Sequence, residues 1–256
     1  RALPRRQQEE DAMRTRRTLL LAGLASLPRK QILDAAIAYF AEAGFGVQTR
    51  ELTRRIGVSQ PLLYRYFPSK QDLIQAVFDA VFMRRWDPSW EKLLHDKTLD
   101  LRERLRQFYV QYAKATYRPE WIRIYMYAGL ADMGFNRNYL TMVRKKILIN
   151  MCEEFRAAFV PAKLLKDAPP ITNREVELAW NLHGSMFYWA VRKNIFSSAE
   201  TSDFDLRTAD AVDLFLAGAL ALYPKLFKAL QDQKSPRGQT PVVRSRWSQK
   251  TERARQ

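Results

Sequence analysis

The sequence predicts an all-α fold, and three observations carry that prediction. Apolar residues recur at spacings of three and four almost everywhere after Leu27, the period of a helix with one buried face. Few segments alternate with period two, so half-buried strands have nowhere to sit. Only 9 Gly and 12 Pro punctuate the 256 residues, which leaves long uninterrupted stretches, and no parallel sheet or nucleotide-binding βαβ unit can be placed.

Taken in order, helices are expected over 29–45, 49–56, 60–66, 70–92, 100–116, 119–132, 136–159, 173–196 and 205–232. The first presents Ile32, Ala36, Tyr39, Phe40 and Ala43 on one face and stops at Gly44, a residue suited to the left-handed cap. The second turns Leu52 and Ile56 inward and ends at Gly57. Ser59 is a good N-cap for the third, and Pro61 sits in its first turn, where a missing N–H costs nothing. Leu63 and Phe67 of that segment lie four apart and face the core. Pro161, Pro169 and Pro170 mark a loop between two long helices, and the polar stretch 197–202 marks another. Four units result: an N-terminal extension, 1–28; a trihelical unit, 29–77; a larger helical unit, 78–232; and a basic tail, 233–256, with seven basic residues against Glu252.

The formal charge of +16, from 43 Lys and Arg against 27 Asp and Glu, favours an anionic partner, either nucleic acid or a membrane surface. One cysteine, Cys152, excludes an intrachain disulfide and, with only His95 and His183 beside it, no metal cluster is readable. This suits a reducing cytoplasm, and no metal or cofactor is expected. Neither histidine belongs to a nucleophile, metal or phosphate motif, so an enzyme is not expected either. Leu19 to Leu27, behind Arg14, Arg16 and Arg17, superficially resembles a signal peptide. The run is too short to span a bilayer, which needs about 20 residues, and a basic helix follows it, so no membrane insertion is expected. Both basic ends either brush DNA nonspecifically or are solvated tails.

Two short helices joined by a Gly-containing turn form a helix-turn-helix, in which the second helix stands proud enough to enter a major groove. Here that helix leaves Gln60, Leu62, Tyr64, Arg65 and Tyr66 on its outer surface. The segments ILDAAIAYFAEAGF, Ile32 to Phe45, and RELTRRIGVSQPLLYRYFPSKQDL, Arg50 to Leu73, resemble the DNA-binding domain of the TetR family of transcriptional regulators; Gly57-Val58-Ser59, Leu63 to Phe67 and Lys70 carry the likeness. The resemblance implies that Arg50 and Gln60 reach base edges, while Thr49, Tyr64, Tyr66 and Lys70 touch phosphates or the groove wall. The chemistry agrees, because Arg fits a guanine edge and Gln an adenine edge, and Lys and Tyr hydroxyls suit phosphate oxygens. Pro61 and Leu62 are placed against a thymine methyl. Arg54, Arg55 and Arg65 either join the contact or form a solvated face. Gln48 stands where the family usually caps its second helix with Ser or Thr.

From Asp100 onward aromatics and methionines are dense. Most must be core, but as a set they suit a pocket for a small, mostly apolar effector, with Tyr109, Tyr112, Tyr125, Met126, Met142, Trp180, His183 and Phe187 as candidate lining and Asn181 as a second polar candidate. The last two helices are expected to dimerise through Val176, Trp180, Phe187 and Val191 on one and Val212, Phe215, Ala219 and Tyr223 on the other, with Ala217-Gly218-Ala219 allowing close approach. The resemblance adds the expected activity: a homodimeric, ligand-responsive repressor in the bacterial cytoplasm, bound to a double-stranded operator of pseudo-palindromic sequence. The alternative from charge alone is a nonspecific nucleic-acid- or membrane-surface-binding protein.

Overall fold

The computed structural model describes residues 29–166, 168–198 and 203–234, so the expectations for 1–28 and for the tail beyond Lys234 lie outside the described residues. Those residues form helices and no strands. The trihelical unit is α1 (Arg29–Ala43), α2 (Thr49–Ile56) and α3 (Gln60–Tyr66). After it come α4 (Lys70–Val81), α5 (Ser89–His95), α6 (Leu101–Thr116), α7 (Pro119–Leu130), α8 (Phe135–Val143), α9 (Ile149–Phe159), the single-turn α10 (Ala162–Leu165), α11 (Asn173–Asn194) and α12 (Phe204–Lys234).

Local chemistry sets the ends of the first helices. Gly44 adopts φ +74 and its N–H bonds the Phe40 carbonyl at 2.9 Å, which closes α1 two residues before the expected end. Gly57 does the same for α2 at φ 69, its N–H bonding the Thr53 carbonyl. The Ser59 hydroxyl accepts the Leu62 N–H at 3.3 Å and starts α3. Ser69 and Asp72 cap α4 reciprocally: the Asp72 N–H donates to the Ser69 hydroxyl at 3.1 Å and the Ser69 N–H to the Asp72 carboxylate at 2.9 Å. Leu63 and Phe67 are buried, as the spacing predicts.

The expected single helix over 70–92 is corrected. It breaks after Val81 into a 3₁₀ turn at Met83–Arg85 and restarts at Ser89. Pro88, the residue just before the restart, keeps one helix from running through this stretch, since its ring would clash with the Arg84 carbonyl and it offers no N–H to the ladder. Conversely, the expected segment 136–159 is continuous in direction, but a π-helical turn, Arg144–Leu148, separates α8 from α9. The loop marked by prolines holds α10.

Two buried ion pairs tie the larger unit together. Glu154 of α9 meets Arg104 of α6 at 2.5 Å and also binds Lys97 and His95. Arg156 reaches Glu175 at the start of α11 at 2.6 Å and donates to the carbonyls of Pro169 and Pro170, which fixes the proline loop. Arg102 of α6 pairs with Asp213 of α12 at 2.5 Å.

Candidate nucleic-acid interface and the cavity behind it

Side chains of α2 and α3 make the outer face of the trihelical unit. Arg50, Gln60, Pro61, Tyr64 and Arg65 are exposed, whereas Leu62, Tyr66 and Lys70 are half-buried. Thr49 departs from expectation. It is 9% exposed and its hydroxyl shares a 2.9 Å hydrogen bond with the Tyr64 hydroxyl, so it locks α3 onto α2 rather than presenting itself to phosphate. Gln48 supplies no side-chain cap to α2.

The five basic residues around this face divide by their partners. Arg54 makes a bidentate pair with Glu51, at 2.9 and 2.7 Å. Arg55 makes another with Glu42, at 2.8 and 3.2 Å, and lies over the Tyr39 ring. These guanidinium groups hold the Glu51 and Glu42 carboxyls below the usual carboxylate range. Their charge is already answered within the protein. Arg50, Arg65 and Lys70 have no carboxylate within ion-pair distance among the described residues, so their charge projects outward uncompensated. Arg54 and Arg55, expected either to join the contact or to form a solvated face, are thus paired within the protein.

Behind the trihelical unit lies a cavity of about 180 Å³ walled by Tyr112, Tyr117, Trp121, Tyr125, Tyr139, Leu140, Trp180, His183, Gly184 and Phe187. Five of the eight sequence candidates are there: Tyr112, Tyr125, Trp180, His183 and Phe187. Tyr109 is fully buried outside the wall, with its hydroxyl on the Met151 sulfur at 3.6 Å. Met126 and Met142 pack against the core away from the cavity, and Asn181 is exposed beside α12 instead of joining His183. Sequence reasoning missed the roles of Tyr117, Trp121 and Tyr139. Their mutual placement depends on three separate helical elements and has no local signature.

The wall is polar only at a few points. Burial pushes the His183 imidazole down to about 4, so it is neutral near pH 7. The hydroxyls of Tyr112 and Tyr139 bond each other at 2.5 Å, and burial raises both phenols above their ordinary range. The Tyr117 hydroxyl, Trp121 Nε1 and His183 Nδ1 are buried without a hydrogen-bond partner.

Helix α7 joins the cavity to α1 of the trihelical unit. Trp121 and Tyr125 stack at 5.1 Å on its cavity side. Arg123 and Tyr127, two residues out of phase and hence on the opposite side of a 3.6-residue helix, turn to the end of α1. Arg123 donates to the Ala41 carbonyl at 2.6 Å and the Tyr127 hydroxyl to the Glu42 carbonyl at 3.2 Å, satisfying carbonyls that α1 itself leaves free. The Tyr127 ring fills the space a side chain at position 44 would need, at 3.1 Å from an added Cβ. Phe82, just past α4, approaches the same wall, 4.9 Å from Trp121 and 5.4 Å from Tyr139.

The expected dimer stripe is corrected as well. Val176, Val191, Val212, Ala219 and Tyr223 are 5% exposed or less within the single chain, and a side chain with no surface cannot meet a partner. Trp180 and Phe187 face the cavity, and Phe215 is half-buried against Phe155 at 5.0 Å. The opposite sides of the same helices expose Tyr188 of α11 and Leu206, Leu214 and Leu220 of α12, at 59, 61, 77 and 62%.

Comparison with known proteins bears on both halves of the chain. Residues 32–77 match the family model of bacterial regulatory proteins, tetR family. The tetracycline repressor protein class D of Escherichia coli is 29% identical over 93 residues, 33% of this chain and 43% of that protein. The HTH-type transcriptional repressor KstR of Mycolicibacterium smegmatis is 42% identical over 57 residues, 22% of this chain and 28% of its own length. These matches thus span less than half of each curated relative. A TetR-like transcriptional regulator from Rhodococcus sp. RHA1 superposes with a TM-score of 0.56 at 21% identity, over 76% of this chain and 98% of that one. The fatty acid degradation regulator FadR from Bacillus halodurans gives 0.52 at 16% identity, over 74% and 98%. At these identities the likeness is one of fold, and it extends the all-α assignment beyond the trihelical unit. Residues 32–77 thus resemble the corresponding segment of bacterial regulatory proteins of the tetR family.

Proposed function

We propose that this protein is a DNA-binding repressor of transcription, acting in the cytoplasm on the bacterial nucleoid, that reads a pseudo-palindromic operator as a homodimer and releases it when a small molecule fills the cavity. The carrying observation is the outer face of α2 and α3, where Arg50, Arg65 and Lys70 are uncompensated while neighbouring Arg54 and Arg55 are internally paired. A merely solvated basic face gives no reason for that division. In this reading residues 29–77 are the reading head and 78–232 the sensing and dimerising body. Arg50 and Gln60 read base edges; Tyr64, Tyr66, Arg65 and Lys70 hold the backbone; Pro61 and Leu62 pack on a thymine methyl. Thr49 positions Tyr64.

Binding to a palindromic target with half-sites about 34–36 Å apart should exceed binding to scrambled DNA of equal length by at least about 10³-fold at physiological salt. Equal affinity for both would establish a charge-only binder instead. Among the described residues no helix is long and apolar enough to cross a membrane.

The dimer in this reading uses the exposed face of α11 and α12, with small residues Gly184, Ala217 and Gly218 between Tyr188, Leu206, Leu214 and Leu220. Exposed leucines in such numbers are a patch that a partner surface would cover. Leu214→Lys should give monomers in sedimentation equilibrium while shifting monomer stability by no more than about 0.5 kcal/mol, because Leu214 is not in the core. A variant that stays dimeric would move the interface elsewhere.

A further inference from the structure

The angle of α2 decides whether Arg50 can meet a base edge, so what fixes that angle bears on the reading role proposed above, on which this inference rests. Packing fixes it only in part. Of the eight residues of α2 only Thr49, Leu52 and Thr53 are buried, and two of these carry hydroxyls. A helix about 12 Å long that rests on one buried leucine and the half-buried Ile56 can still pivot about that contact. Polar groups tie its two ends. At the first turn the Thr49 hydroxyl shares a 2.9 Å hydrogen bond with the Tyr64 hydroxyl of α3. At the last turn the Arg55 guanidinium donates to both carboxylate oxygens of Glu42 on α1, at 2.8 and 3.2 Å, and lies 4.8 Å from the centre of the buried Tyr39 ring of the same helix.

This pair differs in kind from its neighbour. Arg54 and Glu51 belong to one helix, so their bond stiffens α2 without placing it. Arg55 and Glu42 form the one ion pair that joins α1 to α2 among the described residues. Glu42 also accepts the Tyr127 hydroxyl on its backbone carbonyl, so the residue that holds α2 is itself held by α7. Exposed ion pairs add little to stability, and this one acts through geometry. A tilt of about 10° about Leu52 would carry a guanidinium roughly 8 Å away by more than about 1 Å, whereas a bidentate contact tolerates roughly 0.5 Å. We infer that Glu42 and Arg55 are positioning residues for base reading: their bridge sets the angle of α2 on α1 and so aims Arg50, without either of them contacting a base.

The test uses the full chain, a palindromic duplex that the parent selects from a random pool, and a scrambled duplex of equal length. Glu42→Ala removes a negative charge near DNA and Arg55→Ala a positive one. The first should therefore strengthen binding to the scrambled duplex and the second weaken it, each by about two- to threefold. The ratio of palindrome to scrambled affinity should nevertheless fall about tenfold in both, since each leaves α2 untied at two half-sites. The double variant should fall no further than either single one, as expected of partners in one bridge. Arg54→Ala, the control within one helix, should leave the ratio unchanged. Thermal midpoints should stay within about 4 °C of the parent, which separates a loss of aim from a loss of fold. A midpoint that falls further makes the bridge a structural brace and overturns the inference. So does a ratio that rises in one variant and falls in the other, as net charge alone would dictate, or losses that add in the double variant. A parent that prefers neither duplex overturns the base-reading role and this inference with it, whereas a parental preference that survives both substitutions overturns this inference alone.

Discussion

Arg50→Ala is expected to weaken binding to the palindromic operator by roughly 30-fold to 10⁴-fold while leaving the fold intact. A bidentate Arg–guanine contact contributes about 1–3 kcal/mol, and a twofold-symmetric dimer loses it at both half-sites. Arg50 stands in the first turn of α2, exposed and without an ion pair among the described residues, so its truncation removes no internal contact and stability should move by less than about 0.5 kcal/mol. Arg54 is the matched control. It has the same charge four residues along, yet the Nε–Nη2 edge of its guanidinium is already held by Glu51. Arg54→Ala should change operator affinity by no more than about threefold, the cost of a screened charge near a phosphate. Fluorescence anisotropy with operator and scrambled duplexes separates the two. If both variants lose affinity equally on both duplexes, the head acts by net charge and Arg50 reads nothing.

Acid should destabilise the protein through His183. Burial lowers its pKa from the ordinary 6.5 to about 4, so between these values the unfolded chain binds a proton that the folded chain refuses. Stability therefore rises with pH across that window, and the contribution present near pH 7 is lost as pH falls toward 4. Integrated from pH 7 to 4.5, this one group removes about 2 kcal/mol. Denaturation by urea at the two pH values should show that loss in the parent and a correspondingly smaller one in His183→Gln, whose amide does not titrate. Tyr109, Tyr112 and Trp180, whose rings lie 5.9, 5.4 and 5.3 Å from the imidazole, remain uncharged throughout and do not compete. Identical acid sensitivity in parent and variant would mean that His183 reaches solvent.

What the sequence discloses depends on how far apart the interacting residues lie. The trihelical unit was legible because its determinants are local: Gly44 and Gly57 end helices within their own turn, Ser59 and Pro61 start the next, and Leu63 and Phe67 are one turn apart. Which side of the last two helices faces outward is not legible, for an equally physical reason. Helices α11 and α12 are apolar on two sides, and period alone cannot say which side is inward. The chain buries Val176, Val212 and Tyr223 and exposes Leu214 and Leu220. Of the cavity, the aromatic density was visible, but its geometry was not. Tyr117 sits at the end of α6, Trp121 begins the next helix, and Tyr139 comes from α8; only the packed fold makes them neighbours. The clamp of Arg123 and Tyr127 on α1 spans more than 80 residues and had no signal at all.

That clamp gives α7 two independent edges, one facing the cavity through Trp121 and Tyr125 and one gripping α1 through Arg123 and Tyr127. In the proposed reading, recognition and output are thus written on the same short rod in different registers. Pocket chemistry can be rewritten at 121 and 125 without touching the grip. A chimera that grafts this reading head onto a foreign body must import matching residues at the grip positions, or the two halves will fold side by side and fail to signal. The natural seam for such recombination is the face between α1 and α7, not the loop in the chain where one unit gives way to the next.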